Sequence, residues 1–226
     1  MAQTTPHTLQ RIYRTALYEV LLHQKTMFIL LHEDTTDAAP GMQPLQTDPT
    51  PDANGEVNYY EEVETGTKID KLWRSKLGKF LYDTVVKAEL AQEGVQLPTP
   101  PDQILLSSLP EHYVLWTHKK GDLHTPRTDH YLHGSVYVDR FRSPTEFLPH
   151  LKWLLDGQPM KANGKRDCKC CYCDGSRPQG EISKDLGAYH KRGRGGGKGG
   201  RGDRGGRSKP RSSVPEAVPY KDYRVF

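Results

Sequence analysis

The sequence predicts a small α+β domain with flanking disordered segments. Two segments, residues 72–85 and 147–155, carry apolar side chains at helical spacing. Between them, residues 113–117 (Tyr-Val-Leu-Trp-Thr) have the aromatic and β-branched composition of a strand. The chain has 226 residues, of which 35% are hydrophobic, so we expect one modest folded domain.

The N-terminal residues 1–33 predict a helix and a short strand that could pack on this domain. The apolar residues of 9–21 recur at alternating spacings of three and one, which is typical of one face of a helix. The continuous apolar run Met27 to Leu31 predicts the strand, with a continued helix as the alternative, because periodicity does not decide for so short a run. Residues 34–55 are rich in Thr, Asp, Pro and Gly, so we expect an acidic flexible loop that cannot bury enough surface to become ordered.

Each of the two helices of the domain has one boundary that the sequence predicts. Glu93 and Gly94 mark the expected end of the first, because glycine suits the residue after a helix C-terminus. Ser143, Pro144 and Glu146 mark the start of the second, since they combine an N-cap serine, a proline at the first helical position and a glutamate three residues after the cap.

We expect the domain itself to span residues 56–175. The strand at 113–117 should be followed by a polar loop over 119–128. The apolar and aromatic residues of 131–141 then predict two short strands or a hairpin.

The positive charge of the chain is concentrated near its C-terminus. Residues 191–211 contain nine basic side chains and one acidic side chain, Asp203, so this segment carries +8. Because the whole chain carries +4, the remainder carries −4. Residues 176–226 are therefore predicted to be a disordered, basic, Arg/Gly-rich tail, and the folded domain is not expected to be basic.

Several classes of protein are disfavoured by what the sequence lacks. No apolar run approaches the roughly 20 residues that cross a bilayer, so we do not expect a membrane protein. The first residues do not resemble a secretory signal, which favours a reducing compartment, cytosol or nucleus. The sequence contains no Gly-x-x-x-x-Gly-Lys, Gly-x-Ser-x-Gly or His-Glu-x-x-His motif. We therefore predict a protein that is not an enzyme and has no small-molecule substrate.

All four cysteines lie in one six-residue window, Cys168-Lys-Cys170-Cys171-Tyr-Cys173. A disulfide framework joins distant segments, and a single window cannot supply one. Two overlapping Cys-x-x-Cys pairs are instead typical of a zinc site. The sequence therefore predicts bound Zn²⁺ with a structural role.

Adjacent cysteines rarely both bind one ion, so three cysteines and one outside ligand are expected. His150 is the favoured fourth ligand. It lies on the second helix, and the Gly- and Pro-containing turn between it and Cys168 could fold back to bring the two residues together. His133 and His190 are weaker alternatives, and Cys171 could replace one of the other cysteines. Glu146 is the nearby carboxylate that a catalytic zinc would need, but the helix cap explains it better.

Several stretches resemble the N-terminal domain of the fungal transcription-silencing family called cryptic loci regulator two. The most specific is the run Arg-Ser-Pro-x-Glu-Phe-x-Pro-His-Leu at residues 142–151, followed by the cysteines. The other matching stretches are residues 59–62, 73–78, 109–113 and 129–134. The resemblance covers roughly residues 56–175.

This resemblance implies a non-enzymatic interaction subunit of a chromatin-remodelling and histone-deacetylase repressor complex, acting in the nucleus in heterochromatic transcriptional silencing. It implies protein partners, the other subunits of that complex. Carried over by motif, it also implies that the zinc ligands are His150, Cys168, Cys170 and Cys173.

The basic tail supports an alternative function, binding of RNA or DNA. Its arginines are interleaved with glycines, so their guanidinium groups could contact phosphates or stack on bases. The candidate nucleic-acid-binding residues are Arg192, Arg194, Arg201, Arg204 and Arg207. A solvated linker or a nuclear-import signal would have the same composition.

Overall fold

The structure, a computed structural model, describes residues 9–97 and 100–186. Its strands are β1 (Gln10–Arg14), β2 (Tyr18–His23), β3 (Thr26–Leu31), β4 (Glu56–Glu62), β5 (Gln103–Leu106), β6 (Val114–Asp122) and β7 (Arg127–His133). Its helices are α1 (Lys68–Leu81), α2 (Lys87–Gln92), α3 (Pro144–Leu155) and α4 (Gln179–Asp185), with a π-helical turn, Tyr82–Val86, between α1 and α2. The predicted α+β class is confirmed.

The first sheet has the strand order β1-β2-β3-β5, with β5 parallel to β3 and the other pairs antiparallel. The predicted helix over residues 9–21 is therefore wrong. In β2, the buried side chains alternate along the strand, at Tyr18, Val20 and Leu22. Leu21 lies on the opposite face beside Phe28 of β3, and this additional apolar residue produced the helical spacing. The strand predicted at Met27 to Leu31 is confirmed.

Helix α1 packs against this first sheet. It buries Trp73, Leu77 and Leu81 in the same core as the inward side chains of β2 and β3. The predicted helix end is confirmed, because α2 ends at Gln92 and Gly94 has a φ of +67°, in the left-handed region. A domain that began at residue 56 would thus lack three of the four strands on which α1 packs.

The second sheet has the order β4-β6-β7 and is antiparallel. The predicted polar loop over 119–128 is wrong over most of its length, because Lys119 pairs with both Tyr59 and Thr128 within the sheet. Polar residues can occupy a strand when one face of the sheet contacts solvent. The predicted second short strand within 131–141 is reduced to one isolated bridge, Leu132 with Phe141.

Residues 34–55 connect the two sheets without a helix or strand in the described structure, apart from a bridge between Ala38 and Ser135. The beginning of this connection is part of the core, since Thr35 and Asp37 are buried. None of the described helices is long and apolar enough to cross a membrane.

Candidate metal centre

Helix α3 places His150 in the core. Its start is as predicted: the Ser143 hydroxyl accepts from the amide of Glu146 at 3.3 Å, and the Glu146 carboxylate accepts from the amide of Arg142 at 2.8 Å. The first bond satisfies an amide that the first helical turn leaves free, and the second satisfies the amide of the residue just before the N-cap. His150, two turns into the helix, is fully buried, with 0% of its surface exposed.

The cysteines lie on a tight turn that folds back onto α3. The amide of Cys173 donates to the Cys170 sulfur at 3.3 Å, and the amide of Asp174 donates to the Cys170 carbonyl at 3.0 Å. The Tyr172 hydroxyl donates to the Glu146 carboxylate at 2.7 Å. The turn is therefore attached to the first turn of α3 by the residue that also caps that helix.

The side chains of His150, Cys168, Cys170 and Cys173 converge on one point, and we call them the His/Cys centre. Their four donor atoms all lie within 4.8 Å of one another. Nδ1 of His150 is 3.4, 3.8 and 3.6 Å from the sulfurs of Cys168, Cys170 and Cys173, respectively. A tetrahedral ion with ordinary Zn–S and Zn–N bond lengths would place nitrogen and sulfur about 3.6 Å apart. The centre therefore has the size and the donors to hold such an ion.

Asp37 holds the other side of the His150 ring. Its Oδ2 lies 3.1 Å from Nε2 of His150 and accepts from the Ser135 hydroxyl at 2.7 Å, while Oδ1 accepts from the Tyr113 hydroxyl. Metal-binding histidines commonly donate their second ring N–H to a carboxylate in this way. His150 thus presents Nδ1 to the sulfurs and Nε2 to Asp37.

The electrostatics of the centre follow from these contacts. Burial would raise the pKa of Asp37, but the hydrogen bonds from His150, Tyr113 and Ser135 outweigh burial and lower it. Burial likewise opposes charge on His150, yet its bonds with Asp37, Cys170 and Cys173 raise its pKa to about 11. The thiols share hydrogen bonds that raise the pKa of Cys168 and lower that of Cys173. A proton and a metal ion compete for Nδ1 and for each sulfur, so metal binding would release protons.

Two of the alternative ligands, Cys171 and His133, do not join this group. Cys171 is half-buried, and its sulfur is not among the convergent donor atoms. His133 is buried beside the ring of Tyr60, with ring centroids 5.7 Å apart. His190 and the five candidate nucleic-acid-binding arginines lie outside the described residues. Asp37 was missed by sequence reasoning, because a single aspartate in a polar loop carries no signal of its partner.

Comparison with known proteins identifies one matching region. Residues 104–173 match the sequence model of a family described as "Transcription-silencing protein, cryptic loci regulator Clr2". A solved structure described as "Structure of Clr2 bound to the Clr1 C-terminus" is similar, with 21% identity and a TM-score of 0.44. That match covers 67% of this chain but 31% of the solved chain, and no curated protein matches the sequence significantly. Residues 104–173, which contain the complete His/Cys centre, are therefore the part of the chain that is similar to this family, in agreement with the sequence resemblance.

Proposed function

We propose that this protein acts in transcriptional silencing as a non-enzymatic interaction subunit of a nuclear, histone-deacetylase-containing repressor complex that acts on heterochromatin. The observation that carries the proposal is the family match over residues 104–173, which includes every residue of the His/Cys centre. The expected partners are the protein subunits of that complex.

We further propose that the centre binds one Zn²⁺ with a structural role. Four protein donors complete a tetrahedral shell, whereas a catalytic zinc keeps one position for water or substrate. The Glu146 carboxylate accepts from both Arg142 and Tyr172, which supports its role in the cap over a role in catalysis. Structural zinc sites of this kind contribute about 10–16 kcal/mol of apparent binding free energy to folding.

The burial of the ligands supports a structural role as well. Cys168, Cys170 and His150 have no exposed surface, so a substrate could not approach the ion from their side. Zinc would instead join the start of α3 to the cysteine turn and so maintain the surface that a partner protein recognises.

The function can be tested in the organism that encodes the chain, with a reporter gene placed in silenced chromatin. Cys173→Ser should release silencing and abolish co-purification of histone deacetylase activity, because one zinc ligand is lost. Cys171→Ser is the matched control and should leave both unchanged. Intact silencing with Cys173→Ser, in a protein that has lost its metal, would contradict the proposal.

The Arg/Gly composition of residues 191–211 favours a second candidate, RNA or DNA binding by the tail. Contacts with phosphates release counterions, so the affinity should fall steeply as salt rises. Deleting residues 191–211 should abolish binding to single-stranded RNA. A variant with the five candidate arginines changed to lysine keeps the charge, and weaker binding by it would indicate stacking or bidentate contacts. Full binding by the deletion variant would rule this candidate out.

A further inference from the structure

We propose that Asp37 is a positioning residue for the metal ion, and that it couples metal binding to the docking of residues 34–46, which we call the Asp37 segment. This inference rests on the proposed metal site. It assigns a role to a residue outside the family match, which begins at residue 104.

The environment of Asp37 is unusual for a carboxylate in a polar loop. Its side chain is only 1% exposed, and it accepts hydrogen bonds from three separate parts of the fold. These come from Tyr113 ahead of β6, from Ser135 after β7, and from His150 on α3. A buried carboxylate is costly unless its oxygens are paired, so this site is built to hold it.

The hydrogen bond to Asp37 selects the form of His150 that can bind a metal ion. A neutral imidazole carries one proton, and a carboxylate 3.1 Å from Nε2 favours that proton on Nε2. The lone pair is then on Nδ1, which faces the three sulfurs. Asp37 also fixes the rotation of the ring, so Nδ1 need not be reoriented when the ion binds.

The Asp37 segment is attached to the fold mainly by polar contacts. Besides those of Asp37, the Thr35 hydroxyl donates to the Leu17 carbonyl at 2.7 Å, and the Trp116 indole donates to the Gln43 side chain at 2.8 Å. Thr35 and Asp37 are its buried residues, and both are polar, while its large apolar side chains at Met42 and Leu45 are exposed. The backbone around Asp37 is joined to the turn after β7 by two hydrogen bonds of 3.3 Å, from Val136 to Asp37 and from Ala39 to Gly134. Docking therefore depends on polar contacts, and those of Asp37 are the ones that join the segment to His150 of the centre.

Coupling between the two events is reciprocal. If docking of Asp37 raises the metal affinity by some factor, metal binding must favour docking of the segment by the same factor. Outer hydrogen-bond partners of metal-binding histidines typically change metal affinity about 10- to 100-fold. Metal binding is therefore expected to raise the equilibrium constant for docking of the segment by the same factor.

The first test measures Zn²⁺ affinity of the full chain by competition with a chromophoric chelator. Asp37→Asn keeps the shape but removes the charge, and should weaken binding about 10-fold, while Asp37→Ala should weaken it by up to about 100-fold. Asp70→Asn is the matched control, since Asp70 is a buried acid on α1 whose partners are Arg74 and the Gly66 amide. It should destabilise the fold without changing zinc affinity.

The outcomes separate this inference from the proposed function. If the wild-type chain binds no zinc, both the metal site and the inference fail. If it binds zinc and Asp37→Asn binds equally well, the inference alone is overturned. A loss of affinity in Asp70→Asn equal to that in Asp37→Asn would also overturn it, because the effect would then reflect general destabilisation.

The second test measures docking directly by amide hydrogen exchange in the zinc-loaded proteins. Ala39 and Val136 donate the hydrogen bonds that attach the Asp37 segment, so their amides should exchange faster in Asp37→Asn than in the wild type. The amide of Ser107, which donates to Ile29 at 2.8 Å in the first sheet, should be unchanged. Unchanged exchange at Ala39 and Val136 would overturn the coupling.

Discussion

Gly78 of α1 lies against the backbone of Leu105 in β5, so closely that a Cβ atom at Gly78 would be 2.5 Å from the Leu105 carbonyl carbon. The neighbouring atoms belong to the backbone, so they cannot move aside as the end of a flexible side chain would. Glycine therefore permits the close approach of the helix to the edge strand of the first sheet. The distance between α1 and β5 therefore depends on the absence of a side chain at Gly78.

Gly78→Ala should consequently destabilise the fold, although alanine is the better helix former. Overpacking costs about 1–3 kcal/mol, and contacts of 2.4 and 2.5 Å with backbone atoms place Gly78→Ala in the upper part of this range. The cost there exceeds the roughly 1 kcal/mol gained in helix propensity. Gly180 on α4 is the matched control, because a Cβ there meets no atom within 4 Å. Urea unfolding should show a lower midpoint for Gly78→Ala and an equal or higher one for Gly180→Ala. Equal midpoints for wild type and Gly78→Ala would refute the close-contact account.

Ser143→Ala should lower the free energy of unfolding by about 1 kcal/mol, because the side chain that caps α3 is lost. The amide of Glu146 would lose its side-chain acceptor at the helix start. Ser75→Ala, at an exposed position of α1, serves as the control and should change stability little. The comparison can be made by thermal unfolding, and a cap variant as stable as the control would contradict the role given to Ser143.

His133 should make the fold sensitive to mild acid. Burial lowers the pKa of His133 below its usual value of 6.5. The Arg140 charge acts in the same direction, and together they outweigh Asp139, whose charge and backbone hydrogen bond raise the pKa. Its Nε2 has no hydrogen-bond partner in the described structure. Between the usual pKa and the lowered one, the unfolded chain binds a proton that the folded chain does not, so stability falls as the pH drops below about 6.5.

The matching experiment compares urea unfolding at about pH 7.5 and about pH 6. His133→Gln cannot titrate and should lose less stability between these two conditions than the wild type. His124→Gln, at an exposed position, is the control and should behave like the wild type. An equal loss in His133→Gln and the wild type would show that His133 does not account for the acid sensitivity.

The parts of the fold that could be predicted are those with local signals. The start of α3 was predicted because Ser143, Pro144 and Glu146 act within a few residues of one another. The first helix was predicted because its apolar face repeats over four turns. The spacing of the cysteines indicated a metal site, and His150 was favoured for its position on the capped helix. The choice of Cys168, Cys170 and Cys173 over Cys171 came from the family resemblance.

The parts that failed depend on distant partners. In residues 9–21, helical spacing competed with strand alternation, and pairing of β2 with β3 decided between them. The turn that joins these strands is Gln24-Lys25, with a φ of +55° at Gln24, and it lacks the Asn-Gly or Asp-Gly signal of a two-residue hairpin. The contact of Asp37 with His150 joins residues 113 positions apart, and no local pattern indicates it.

The central claim, that the His/Cys centre binds a structural metal ion, is tested most directly by elemental analysis of the purified full chain and two cysteine variants. We expect one zinc per chain in the wild type and in Cys171→Ser, whose altered sulfur lies outside the convergent group. Cys173→Ser should lose the metal and melt at a lower temperature. A metal-free wild-type chain, or a Cys173→Ser variant with unchanged zinc content and melting temperature, would contradict the account.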